Sequence, residues 1–347
     1  GVPRLVRWET LLIVLWLGTI VLGAVRSPYF LDGSNFSLLV TSFIERAIMA
    51  LPMTLIIIAG QIDLSVASTL GLASATLGVA WQAGYPLAVC IGLALLVGVA
   101  AGLCNGVLVA IFDLPSLVVT LGTLALYRGL AFVVLGQQAV SDYPAGFRQF
   151  GFGKVPGTGV PWPAVVFAIL LIIFLIVLHR SSVGRQIYAI GGNATAARFS
   201  AVRVAPITIG LFIASGLIAA LAGVIFTARV SSSRADNAIG FELDVIAAVL
   251  LGGVSIFGGR GTLVGVALSL LTLATLRNAL ALSNVGADTQ NIAIGGLLIL
   301  SVLGPNLARR FTSRAPSATI PVPRPMLGSG DGPSPERRSA PEETAGG

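Results

Sequence analysis

Runs of about 20 apolar residues follow one another almost from end to end of this chain, and that repetition constrains its fold more than any motif does. An α-helix of about 20 residues, at about 1.5 Å rise per residue, crosses a hydrocarbon layer about 30 Å thick. Within that layer every backbone N–H and C=O must be satisfied inside the protein. The sequence therefore specifies an all-α fold, a polytopic transmembrane helical bundle. Composition agrees: 55% of the 347 residues are hydrophobic and 10% are charged, against about a quarter charged in soluble domains.

The expected spans are residues 8–26, 37–59, 64–82, 86–111, 116–136, 162–179, 205–228, 242–257, 261–282 and 288–304, about ten in all, with room for a broken or re-entrant helix within 37–82. The start, with a basic flank before an apolar core, has the outline of a cleavable signal. It has no small-x-small site before Arg26, and Trp8 and Trp16 suit an anchored helix, so it reads as an uncleaved first span.

The net charge of +7 is not a nucleic-acid footprint, because the basic residues gather in connections and in the tail. Ten spans put both ends on one side. With the ends inside, that side holds Arg4, Arg7, Arg180, Arg185, Arg198, Arg203, Arg260, Arg309, Arg310, Arg314, Arg324, Arg337 and Arg338, while the other holds Arg26, Arg148, Lys154, Arg229 and Arg234. The positive-inside rule then places both termini in the cytoplasm, and the bias keeps its sign without the last three tail arginines.

Residues 1–311 make up the membrane domain in this reading. Residues 312–347, rich in Pro, Ser and Gly with mixed charge, are expected to be a disordered cytoplasmic tail. Two connections are long: an outer one, 136–161, and an inner one, 179–204, in which Asn193 is placed to cap a short helix, Ala194 to Ser200. Cys90 and Cys104 share one expected helix, about 21 Å apart along its axis, too far for a mutual disulfide. Gly98, Gly102 and Gly106 recur at four-residue spacing, which suits close helix packing, either inside the bundle or at a dimer seam.

No enzymatic constellation stands out. His179 has no cysteine or carboxylate beside it to make a metal site. Lys154 is followed by Val155 and lacks the first glycine of a phosphate-binding loop, so the chain supplies no ATPase of its own. The glycine-rich stretch 252–265 lies between apolar helical runs and reads as a tight turn at Gly258 to Gly261. What remains is a set of polar residues at membrane depth: Glu45, Arg46, Asp63, Arg128, Asp244, Arg277, Asp288, Gln290 and Asn291. Glu45 and Arg46 are adjacent and cannot share a helix face, so each needs a partner elsewhere or water.

Five ordered motifs carry a resemblance: "GQIDLSVAS" (60–68), "LPSLVVTLGTLALYRGLA" (114–131), "GRQIYAIGGNATAARFSAVRV" (184–204), "SGLIAALAGVIFTARV" (215–230) and "DVIAAVLLGGVSIFGGRGTLVGV" (244–266). Together they resemble the permease subunits of bacterial ATP-binding-cassette sugar importers, the ribose, xylose and arabinose class, over about 37–304. Gln61 and Ala67 stand where that class carries glycine, a departure similar to the rhamnose-type branch. The resemblance implies the importer permease fold, a second permease chain (identical or related), an extracytoplasmic sugar-binding protein, and a cytoplasmic ATPase that holds ATP and Mg, with no cofactor in this chain.

It also implies roles. Gln61, Asp63, Ser65, Asn105 and Asn278 are assigned to the translocation path. Asp63 is read first as a helix cap, and Gln61 as the residue facing the path. Gly192, Asn193, Ala194, Ala197 and Arg198 are assigned to ATPase coupling. Arg148, Arg229, Arg234 and Asp236 are assigned to binding-protein docking, with solvated loop charges as the alternative. The rival to an ATP-driven importer is an ion-coupled secondary transporter of a small polar solute, with Asp63 and Asp288 as its candidate ion ligands.

Overall fold

The computed structural model describes residues 8–297 and 299. Helices run in the order α1 (Trp8–Arg26), α2 (Gly33–Ile58), α3 (Val66–Gln82), α4 (Leu87–Ala110), α5 (Ser116–Leu135), α6 (Ala145–Phe152), α7 (Trp162–Arg180), α8 (Ser182–Gly192), α9 (Ala194–Phe199), α10 (Val204–Val230), α11 (Phe241–Leu251) and α12 (Leu263–Leu282). A further helical segment occupies 287–297. Pairing of extended backbone among the described residues is limited to two isolated bridges, Val140 with Ser233 and Lys154 with Pro161.

Among the described residues, seven helices are long and apolar enough to cross a membrane: α1, α2, α4, α5, α7, α10 and α12. Helices occupy the three other expected spans as well. At 17 residues, α3 is about 26 Å long. The expected span 242–257 is shorter than foreseen, because α11 stops after 11 residues at the Gly252-Gly253 pair and the chain turns away. The last expected span, 288–304, is only partly within the described residues, and the expected tail 312–347 lies outside them.

Central to the bundle is α2, every residue of which from Ala47 to Ile58 is buried. Around it pack α7, α10, α11 and α12, while α1 is pinned at its two tryptophans. Trp8 Nε1 donates to the Leu251 carbonyl at 2.9 Å and Trp16 Nε1 to Thr275 Oγ1 at 3.2 Å. The four-residue glycine stripe resolves as packing inside the chain. A Cβ on Gly98 would strike Gly216 and Ala220, and one on Gly102 would strike Phe212 and Ile213, all on α10. Small residues here let two helix backbones approach closely, and the stripe is thereby used up in α4–α10 contact. Both cysteines are free, Cys90 buried and Cys104 exposed.

Contacts between connections sort them to the two ends. Val140 and Ser233 exchange backbone hydrogen bonds at 3.0 and 2.8 Å, which joins 136–161 to the turn after α10. Tyr143 adds a 2.7 Å hydroxyl contact to Ser233, and its burial pushes the phenol up to about 12, so it bonds as a neutral group. At the opposite end the Ile58 carbonyl accepts from the Gly259 N–H at 2.8 Å, and Gly191 packs on both.

Candidate translocation and coupling site

The break after α2 begins at this second end, at Gly60, and runs to Ser65 at the entry to α3. Its backbone is satisfied by α5: the Ile62 N–H donates to Ser116 Oγ at 3.1 Å, and Thr120 Oγ1 donates to the Ile62 carbonyl at 3.2 Å. That is the requirement on irregular backbone at membrane depth. Asp63 is 2% exposed. Its Oδ1 accepts from the Ser65 N–H at 3.0 Å and the Ser65 hydroxyl at 2.7 Å, and its Oδ2 accepts from the Ser215 hydroxyl at 2.8 Å. The carboxylate thus holds the N–H of Ser65, at the entry to α3, while the Ser65 side chain makes no cap bond of its own.

The network continues through Ser65. Asn105 Nδ2 donates to Ser65 Oγ at 2.8 Å, and the Tyr127 hydroxyl lies 3.3 Å from Asn105 Oδ1 and 2.9 Å from the Ala101 carbonyl. Asp63, Ser65 and Asn105 are therefore brought together, with Ser215 and Tyr127, where α3, α4, α5 and α10 meet. Gln61, two residues before Asp63 in the chain, is half-buried. Asn278 is not among them. Its side-chain amide exchanges two 2.9 Å hydrogen bonds with Asn35, at the end of α2 far from the break. Sequence reasoning missed Ser215 and Tyr127. A serine inside the apolar run of α10 was the visible sign of the first.

The connection 179–204 folds mainly as α8 and α9. Asn193 caps α9, its Oδ1 accepting from the Ala196 N–H at 2.9 Å. The helix ends at Phe199, one residue earlier than expected. Ala197 is buried and anchors α9, while Gly192, Asn193, Ala194 and Arg198 are exposed. Arg198 Nη2 lies 3.9 Å from Asp113 Oδ1, an open pair of little energetic weight. The Tyr188 hydroxyl donates to the Gly261 carbonyl at 2.7 Å. Three glycines, Gly60, Gly191 and Gly258, meet where α2 ends, α8 ends and the 252–262 turn passes. Gly60 and Gly258 have φ of 79° and 81°, where side chains are strained, and a Cβ on Gly191 would strike the Ile58 carbonyl.

The charges assigned to binding-protein docking are largely engaged within the chain. Arg148 is exposed on α6. Arg229 is in the last turn of α10, and its Nε donates to the fully buried Glu45 at 2.7 Å. It is a structural partner rather than a free surface cation. Arg234 and Asp236 pair with each other through two 2.8 Å bonds, and hydrogen bonding from Arg234 holds the Asp236 carboxyl below its ordinary range. Arg46 and Arg277 share Asp244, at 2.8 and 2.6 Å. Arg128 donates to the carbonyls of Ala235, Asn237 and Ala67, bracing the outer turn against α3. No group of three or more histidine, cysteine or acidic residues suited to a metal ion occurs among the described residues.

This architecture has known counterparts in sequence. The family described as branched-chain amino acid transport system / permease component matches residues 35–302, which take in every helix from α3 to α12. The chain belongs to this permease family. Relatives include the autoinducer 2 import system permease protein LsrD of Photorhabdus laumondii, 34% identical over 305 residues, covering 87% of this chain and 92% of the relative. LsrD of Yersinia enterocolitica is 34% identical over 314 residues, covering 89% of this chain and 94% of the relative. LsrD of Klebsiella pneumoniae is 35% identical over 306 residues, covering 87% and 92%. No solved structure matches the chain. The resemblance drawn from the five motifs holds at the level of an importer permease subunit, and this permease is a transport component, not an enzyme.

Proposed function

We propose that this permease is the membrane-spanning subunit of an ATP-driven, binding-protein-dependent sugar importer, and that it moves its solute by alternating access without covalent chemistry. One observation supports this above others. The exposed, capped helix α9 continues from α8, whose end packs on Ile58 at the end of α2, three residues before Gln61 and the Gln61–Asp63 break. A push on α9 from a closing ATPase would reach that break through packed backbone, with no flexible link between.

In this reading the topology is ten membrane segments, counting α3, α11 and the one to which the helical segment 287–297 belongs, with both termini in the cytoplasm of a bacterial inner membrane. ATP and Mg sit on a partner ATPase. A second permease chain completes the path, and a sugar-binding protein docks on the exposed faces of 136–161 and 231–240, where Arg148 and the Arg234–Asp236 pair are available and Arg229 is not. Gln61 faces the path, and Asp63 with Ser65 and Asn105 shapes it. Asn278 serves α2–α12 packing rather than the path. The named cargo of the relatives makes autoinducer 2 the first solute to try, beside rhamnose and ribose.

The ion-coupled alternative loses ground on Asp63, whose two oxygens are already engaged by three protein donors. Asp288 follows the far end of α12, about 30 Å along that helix from the turn at which α2 ends. The test is solute uptake by proteoliposomes that hold the assembled transporter, scored with ATP and with ion gradients separately. ATP-dependent uptake supports the proposal. Uptake by this chain alone, driven by an ion gradient and indifferent to ATP, overturns it.

A further inference from the structure

We infer that the face between α2, α7 and α12 is a binding site for an anionic phospholipid, with the phosphate held by Arg46 and Arg277, beside the Glu45-bound Arg229, and an acyl chain in the adjoining apolar groove. Two adjoining cavities carry this. The first, about 480 Å³, is lined by those three arginines together with Thr41, Ser42 and Gln290. The second, about 220 Å³, is lined only by apolar side chains, among them Val40, Ile44, Phe167 and Leu271. They share Phe43 and Ala274 as a common wall. On α12 the polar cavity spans 274–281 and the apolar one 267–274, about 10 Å apart along that helix, while on α2 the two lie side by side along 38–46 and 39–47.

A polar chamber that adjoins an apolar groove across a shared wall matches the two parts of a lipid, the head in one and an acyl chain in the other. The charges match as well. Three arginines face two carboxylates, Glu45 and Asp244, which leaves a surplus of one positive charge, the complement of a phosphodiester. Arg277 Nε is buried without a hydrogen-bond partner, the sole such side-chain atom among the described residues. A guanidinium with donors in excess of its acceptors is suited to bidentate phosphate contact. An uncharged sugar would leave the surplus charge unpaired and the apolar groove unfilled.

The test uses native mass spectrometry of the delipidated full chain, titrated with phosphatidylglycerol, phosphatidylcholine or inorganic phosphate. Wild type should retain phosphatidylglycerol at least tenfold more tightly than phosphatidylcholine, and inorganic phosphate should not displace it. Arg277→Gln removes a cation while Asp244 keeps Arg46, so the fold retains that pair, and it should abolish the preference. Ala267→Trp fills the groove from its half-exposed side and should weaken retention of both lipids with the arginines untouched. Equal retention of the two lipids by wild type overturns the inference without any variant. Displacement by inorganic phosphate alone would assign the chamber to a free anion instead and equally overturn it.

Discussion

Asp63 accepts three hydrogen bonds, from groups on either side of a helix junction, and its removal would strand all three donors. A buried donor left unsatisfied costs about 1–3 kcal/mol. Asp63→Ala should therefore lower the thermal unfolding midpoint markedly in detergent, Ser215→Ala should lower it by about a third as much, and Gln61→Ala should leave it unchanged while altering uptake. Equal stability of Asp63→Ala and wild type would refute the capping role. Arg229 offers a second case. Glu45 is fully buried, and removing one partner of such a pair costs about 3–5 kcal/mol, whereas removing both costs far less. Arg229→Gln should be severely destabilised, and Glu45→Gln with Arg229→Gln should recover much of the loss in the same unfolding assay. At this scale the sequence is half legible. It shows that Asp63, Glu45 and Arg46 need partners, but Ser215, Arg229 and Asp244 lie 152, 184 and 198 residues away, and nothing local names them.

Helix positions were legible because length and hydropathy fix them directly, and every expected span contains a helix or, in the last case, the described part of one. Ends were less legible. The apolar residues of 252–257 read as more helix, yet Gly252 and Gly253 end α11 early, and Gly252 packs its α-carbon on Val266 where a side chain would not fit. The glycine stripe of α4 left two readings open, since small residues serve any close helix contact. Its use against α10 yields a direct prediction. Gly102→Val would drive a branched side chain into the Phe212 and Ile213 backbone, and overpacking of this kind costs about 1–3 kcal/mol or more. Loss of the folded monomer fraction on size-exclusion chromatography is the expected result, whereas Gly92→Ala, which meets nothing nearby, should be silent.

Across the whole molecule, the two ends of the bundle do different things. One end is knitted by the Val140–Ser233 bridge, Tyr143 and the Arg128 contacts into a braced cap over α3. At the other, α2, α8 and the 252–262 turn meet at three glycines, and α9 stands exposed beside them. In the proposed function the first is held still and the second receives the push from the ATPase. The most direct test of that account is simultaneous measurement of solute uptake and ATP hydrolysis by the reconstituted transporter carrying Gly191→Ala, whose added methyl would wedge α8 away from the Ile58 carbonyl. The account predicts that hydrolysis continues while uptake per ATP falls at least tenfold. An unchanged ratio of uptake to hydrolysis, in an assembled and folded complex, would contradict it.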